Sequence, residues 1–172
     1  MTHFIETERL YIHAPTLSDI DNWQTLHSDQ ETMKYLGGTR DRGTTLQWLK
    51  NDIAHYKKHG FCLGSVFERE SKMFIGIAGL VYLNYDDNQQ DIEIGYQLKK
   101  SCWDKGYASE LVQSLIKWGF FHLKVNRLVA VTRPDNHKSQ RVLEKAKMQY
   151  EGKIQFHNNE EDYLFYVVYK QR

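Results

Sequence analysis

Between Ile92 and Val131 the chain reads as a strand, a helix and a second strand, and this order restricts the fold more than any other stretch does. Ile92, Ile94, Tyr96 and Leu98 alternate with Glu93, Gly95 and Gln97, the period of a strand whose two faces meet different surroundings. Ala108, Leu111, Val112, Leu115, Ile116, Gly119, Phe120 and Leu123 then recur at helical spacing, which predicts a helix over Tyr107–Leu123 with one stripe packed on a sheet. Leu128–Val131 is an unbroken apolar run, the pattern of a strand buried on both faces. A strand, a crossover helix and a strand form a right-handed parallel unit.

The flanking segments have a different texture. A first strand is expected at Arg9–His13, and Ser18 with Asp21 resembles a capping box opening a helix through about His27. Thr44 or Thr45 caps a second helix, whose Leu46, Leu49, Ile53 and Tyr56 keep helical spacing until Gly60 ends it. Phe61–Arg69 and Met73–Leu83 read as strands of an antiparallel meander, followed by a turn at Asn84–Gln90. Beyond Pro134, Asn136 caps a helix with Ser139, Val142, Leu143 and Ala146 on one face. Two closing strands, Tyr150–His157 and Tyr163–Lys170, surround a turn at Asn158–Asp162. The expected class is therefore mixed α+β: a central sheet of about seven strands containing one parallel pair, flanked by about four helices. With 172 residues, two prolines and no Gly/Ser-rich linker, a single domain over 1–172 is expected.

Charge and composition narrow the partners. A net charge of +1, from 23 basic and 22 acidic residues, gives no global field for nucleic acid or an anionic membrane. Cys62 and Cys102 form no CxxC pair, which suits a reducing compartment, and no apolar run approaches the ~18 residues of a membrane span, so a cytoplasmic protein is expected. His55 and His59 have i, i+4 spacing, yet Lys58 and the absent glutamate spoil a zinc motif; no metal is expected, and both read as exposed helix positions. Gly38–Thr45 imitates a phosphate loop, but Thr44 stands where its lysine belongs and no clear strand precedes it, which argues against a nucleotide-binding protein.

Chemistry concentrates where the central strand meets the long helix, at Trp103-Asp104-Lys105-Gly106-Tyr107-Ala108-Ser109-Glu110. The first turn of a helix presents backbone N–H groups without internal partners at the positive end of the peptide dipoles, so it can hold a phosphate. Gly106 and Ala108 are small enough to let a diphosphate approach those amides, and Gly106 can tighten the turn.

This segment resembles the coenzyme A pyrophosphate loop of the GCN5-related N-acetyltransferase (GNAT) superfamily, with its Arg/Gln-x-x-Gly-x-Gly/Ala pattern. It is most similar to the RimJ/RimL branch, where the strand reads Glu-Ile-Gly-Tyr and the loop Trp-Gly-Lys-Gly-Tyr-Ala-Thr-Glu, against Glu93–Tyr96 and Trp103–Glu110 here. Thr7-Glu8-Arg9-Leu10 with Asp19, and Asn136-x-x-Ser139-x-x-x-Leu143-Glu144-Lys145, resemble that branch's opening and later helix in the expected order.

The resemblance implies a fold whose parallel strands splay to admit acetyl-CoA, and an acetyl transfer to a primary amine by direct attack in a ternary complex. It implies cofactor contacts from Tyr96, Gln97, Leu98, Trp103, Asp104, Lys105, Gly106, Tyr107, Ala108, Ser109, Asn136 and Ser139. The acceptor would be a peptide N-terminal α-amine or a small-molecule amine. Leu143 occupies the place where many members carry a tyrosine that protonates the departing thiolate, so Ser139 or a bound water would supply that proton. Glu93, opposite the apolar face of its strand, is the candidate base; the alternative is a solvent-facing or salt-bridged glutamate. A cysteine relay is disfavoured, since neither cysteine has a histidine neighbour and both read as packing residues. The absent tyrosine also leaves open a non-catalytic acyl-CoA-binding sensor.

Other features stay double-valued. Lys138, Arg141 and Lys145 share a helix face that is either solvated or turned to the 3′-phosphate of coenzyme A. Glu160-Glu161-Asp162 either attracts a cationic acceptor or faces water, and the aromatic strand Tyr163–Tyr169 packs the core, lines a pocket or forms a homodimer contact. Asp104 stands where the family has a common glycine, with Lys105 to offset its charge, and Lys147-Met148 replaces the usual Gly-Phe.

Overall fold

A computed structural model describes residues 3–156 and 161–171. Eight strands are formed by the described residues: β1 His3–Glu6, β2 Leu10–His13, β3 Leu63–Glu68, β4 Phe74–Tyr82, β5 Ile92–Leu98, β6 Arg127–Thr132, β7 Gln149–Gln155 and β8 Asp162–Tyr169. They build one sheet in the order β1-β2-β3-β4-β5-β6-β8-β7. Every neighbouring pair is antiparallel except β5 and β6. The helices are α1 Ile20–His27, α2 Gln30–Met33, α3 Arg42–His59, α4 Tyr107–His122 and α5 His137–Lys145. The α+β class with one parallel pair is as the sequence predicts. Strand and helix numbers exceed expectation because β1 and α2 have four residues each, too few to show a period. The turn expected at Asn158–Asp162 begins outside the described residues, with Asn158, Asn159 and Glu160.

Each face of the sheet has its own core. Ile92, Ile94 and Leu98 of β5 pack with Leu111, Val112 and Leu115 of α4, Leu128 and Ala130 of β6, Leu143 of α5 and Tyr166 of β8. On the other face Trp23 and Leu26 of α1 meet Leu49 of α3 and Phe74 and Ile77 of β4. Strand alternation thus turns the even residues of β5, β6 and β8 toward α4 and α5, and their odd residues toward α1 and α3. No described helix is long and apolar enough to cross a membrane.

Three local readings need correction. The capping box joins Thr16 to Asp19 rather than Ser18 to Asp21, because Asp19 is buried and also holds His13 (3.0 Å) and Ser65 (3.0 Å). Asp41, not Thr44 or Thr45, caps α3: its carboxylate accepts the Thr44 N–H at 2.7 Å. The stripe that α3 buries is largely polar, comprising Thr45, Leu49, Asp52 and His55. His55 is therefore not an exposed position; its ring bonds the Phe61 carbonyl (2.7 Å) and the Tyr82 N–H (3.2 Å). His59 pairs with Asp87 at 3.0 Å, and no metal-binding cluster occurs among the described residues.

Two of the family departures share a backbone cause. Asp104 (φ 59°) and Lys147 (φ 64°) both lie in the left-handed region, where a glycine is unstrained and aspartate is tolerated better than most residues. Lys147 follows α5 and Met148 is buried behind it, so the helix still ends with a left-handed residue and an apolar anchor.

Asp52 gives a signed stability prediction. Burial pushes its carboxyl up to about 7, although it accepts the Leu63 N–H (3.0 Å) and the Tyr85 hydroxyl (2.9 Å). A carboxyl whose pKa rises on folding contributes fully below its unfolded value near 4 and loses that contribution as pH climbs through about 7. Urea unfolding between pH 4.5 and 8 should show the native chain losing roughly 2–4 kcal/mol relative to Asp52→Asn. Parallel stability curves for the two would contradict the assignment.

Candidate active site

The sheet opens along its one parallel seam. β4 stays registered with β5 from Tyr82 opposite Ile92 to Gly76 opposite Leu98, and β8 with β6 from Tyr169 opposite Arg127 to Leu164 opposite Thr132. Between β5 and β6 only Glu93 and Val129 are registered. The Lys99 N–H donates to the Ile75 carbonyl on β4, so alternation directs the Tyr96 and Leu98 amides toward β6, beyond the point where that ladder stops. A cavity of about 510 Å³ occupies the gap, within the usual range of small-molecule clefts. Its walls come from β5, the Cys102–Gly106 loop and the first turn of α4, the end of β6, the start of α5, and Tyr35 and Leu36 after α2.

At one end the cavity meets the N-terminus of α4. Gly106 caps this helix at φ 79°, and a Cβ there would also crowd Arg9 Nη2 at 3.3 Å. Arg9 supports the loop from outside. Its Nη1 donates to the Lys105 carbonyl (2.9 Å), its guanidinium lies 4.5 Å over the Tyr107 ring, and its Nε meets Glu110 at 2.7 Å. Glu110 also accepts from Thr7 Oγ1 (2.5 Å) and the Arg9 N–H (2.8 Å), which binds the β1–β2 turn to the first part of α4. Trp103 Nε1 donates to the Leu98 carbonyl at 2.8 Å and fixes the loop to the end of β5. The Asp104 carboxylate is exposed and paired with Lys138 Nζ (2.9 Å) on α5, so Lys138 rather than Lys105 offsets its charge.

The two faces of the gap carry different chemistry. On the α4/α5 face the Tyr96 hydroxyl and Ser139 Oγ are 2.8 Å apart, across the cleft from β5 to α5. Burial raises the Tyr96 phenol to about 12, so it stays protonated and can donate to Ser139. Asn136 caps α5 by accepting the Ser139 N–H at 3.2 Å, which fixes the serine at the helix start. Thr132 Oγ1, buried at the end of β6, has no hydrogen-bond partner among the described residues. On the α1/α3 face stand Glu93, Gly95 and Gln97. Glu93 lines the cavity, forms no hydrogen bond or ion pair with a described residue, and is pushed up to about 8 by burial. The salt-bridged reading of Glu93 is thereby set aside.

Nearly all residues singled out in the sequence converge here. Glu93, Tyr96, Gln97, Leu98, Trp103, Asp104, Gly106, Tyr107, Ala108, Ser109, Asn136 and Ser139 line the cavity, whereas Lys105 does not. Lys138 and Arg141 stand on its rim, and Lys145 does not. Cys62 is a buried packing residue as expected, but Cys102 lines the cavity. Tyr163 lines it too, beside Phe156. Sequence reasoning missed Thr32, Tyr35, Leu36, Phe156, Thr132 and the bracing role of Arg9. Only Arg9 left a signal, since it and Glu110 belong to two of the blocks that carry the family resemblance.

Comparison with known proteins gives a consistent family. Residues 9–149 match the acetyltransferase (GNAT) domain. The chain is 32% identical to the uncharacterized N-acetyltransferase p20 of Bacillus licheniformis, over 85% of this chain and 82% of that protein. The crystal structure of a GNAT-family acetyltransferase from Bacillus anthracis superposes with a TM-score of 0.80 at 27% identity, covering 96% of this chain and 97% of that one. A RimL ribosomal L7/L12 alpha-N-protein acetyltransferase in complex with coenzyme A shares the fold, with a TM-score of 0.79 at 17% identity and 98% of each chain covered. From the domain match along most of its length and the relative at 32% identity, the chain belongs to the GNAT family and is an N-acetyltransferase.

Proposed function

We propose that this chain, acting as one domain, transfers the acetyl group of acetyl-CoA to a primary amine by direct attack in a ternary complex. It would belong to the RimJ/RimL-like branch, with a peptide N-terminal α-amine or a small-molecule amine as acceptor. The opened seam carries the reading: it joins a helix N-terminus at one end to an unpaired carboxyl on one face and a hydroxyl pair on the other. The groups present fit the cofactor. Unpaired amides on β5 and the orphaned Thr132 hydroxyl suit the amide-rich pantetheine arm, and the first-turn amides of α4 suit a diphosphate. The RimL neighbour that contains coenzyme A and the strand and loop strings shared with that branch support the same choice.

Acetyl-CoA, when bound, supplies a thioester whose carbonyl carbon gains the C–N bond while the C–S bond breaks. The Tyr96 and Leu98 amides polarise that carbonyl. Glu93 takes the proton that the amine loses, directly or through water, and burial that raises its pKa to about 8 makes it a stronger base than an ordinary carboxylate. Ser139 gives its hydroxyl proton to the departing sulfur and recovers one through Tyr96 or solvent. The acid and base thus stand on opposite faces of the sheet, with the reacting carbon in the gap between them. The sensor reading gains no support from this arrangement, since binding alone has no use for an unpaired carboxyl on the acceptor face.

Two measurements test this. Ser109 lies in the first turn of α4 and lines the cavity. Ser109→Glu places a carboxylate where the helix dipole favours it and a diphosphate does not, so thermal stability should hold or rise slightly while coenzyme A affinity falls at least about tenfold. Unchanged affinity would remove the diphosphate from this turn. The second is the pH profile of kcat/KM. Because Glu93 accepts a proton only when ionised, the native rate should rise through an inflection near pH 8 that Glu93→Gln abolishes, with a larger loss at pH 9 than at pH 6.5. An equal loss at both pH values would exclude Glu93 as the base.

A further inference from the structure

The acceptor half of the cavity restricts which amine can enter. It lies on the odd-numbered face of β5 and β8, where Glu93, Gly95 and Gln97 face Tyr163, Phe156 and the Tyr35–Leu36 turn. Glu93 is the sole lining carboxyl on this face among the described residues. The other lining carboxylate, Asp104, sits at the cofactor end and is held by Lys138.

Among the described residues, Glu161, Asp135, Asp162, Glu31 and Asp29 all have partners. Glu161 pairs with Arg133, which also meets Asp135 at 3.5 Å. Asp162 lies 3.9 Å from Lys153, and Glu31 lies 3.8 Å from Lys100. Asp29 caps α2 by accepting the Glu31 and Thr32 N–H groups. The acidic hairpin tip that could have drawn a cationic acceptor is, in its described part, already neutralised. Arg133, shared between Glu161 and Asp135, also places its guanidinium 5.9 Å over the Tyr163 ring of the wall. A second ammonium entering this half would lose water and find no further lining carboxylate among the described residues, an uncompensated desolvation.

One amine, by contrast, is well served. The Glu93 carboxyl can take its proton, and the side-chain oxygen Oε1 of Gln97 is buried without a donor among the described residues. Gly95 between them carries no side chain, and Leu63 packs against it, its methyl 3.0 Å from where a Cβ would stand. The walls that would receive the rest of the molecule are rings and a leucine, with Phe156 and Tyr163 edge to face at 5.3 Å.

We infer that the acceptor is a monocationic primary amine with an aromatic or branched apolar group next to the amine, and not a polyamine; this rests on the acetyltransferase reading above. The same chemistry occurs in a small arylalkylamine and in a peptide whose first side chain is apolar. Thiol release from acetyl-CoA should be followed with phenethylamine, isoamylamine, the tripeptide Phe-Gly-Gly, putrescine and spermidine, each at pH 8. The monoamines and the tripeptide should exceed both polyamines in kcat/KM by at least about tenfold, the scale on which one unpaired buried group discriminates, and the ratio of phenethylamine to tripeptide identifies the source. Tyr35→Ala should raise KM for phenethylamine about tenfold while KM for acetyl-CoA stays within about twofold. Equal or better turnover of spermidine overturns this inference alone, whereas absence of thiol release with every amine overturns the acetyltransferase reading with it.

Discussion

The structure depends on one failure of pairing. Six of the seven strand pairings are antiparallel ladders, and the seventh, the parallel contact of β5 to β6, holds only at Glu93 and Val129. Because β4 and β8 keep their full registers on the outer sides, the seam can open without loosening the sheet. Opening leaves strand amides directed into a cavity, which water or a ligand must satisfy. The gap is lined from both faces of β5, by Glu93 and Gln97 on one and Tyr96 and Leu98 on the other.

A second constraint keeps the helix end in place. Arg9 and Glu110 join the β1–β2 turn to α4 about a hundred residues later, and the arginine also holds the Lys105 carbonyl behind the loop. With Trp103 tied to the Leu98 carbonyl, the loop from β5 to α4 is anchored at both ends. The left-handed turn at Asp104 and Gly106 then brings the first helical amides to the cavity rim. Carboxylates in this region point elsewhere: Asp104 to Lys138, Glu110 to Arg9.

Much of this was legible in the sequence because its signals are local. The alternation of Ile92–Leu98, the helical stripe from Ala108 and the apolar run Leu128–Val131 each fix an element by themselves, and their order requires the parallel pair. The loop that leads into α4 was legible for the same reason, being one continuous stretch. What escaped is non-local or polar. The buried face of α3 uses Asp52 and His55, whose burial depends on partners in β3, the Tyr85 turn and β4, and no period marks them. One wall of the cavity joins the α2 turn to the last hairpin, more than a hundred residues apart, and Tyr35 and Phe156 carry no pattern of their own. The Tyr96–Ser139 bond could not be foreseen either, since Tyr96 reads as one more apolar-face residue.

The central claim is that the β5–β6 seam and the first turn of α4 form one cofactor groove. Hydrogen–deuterium exchange with and without coenzyme A tests it most directly, because amides that gain an acceptor exchange more slowly. The account predicts protection confined to peptides covering Tyr96–Leu98, Gly106–Glu110 and the start of α5. Protection elsewhere, with these segments unchanged, would contradict it.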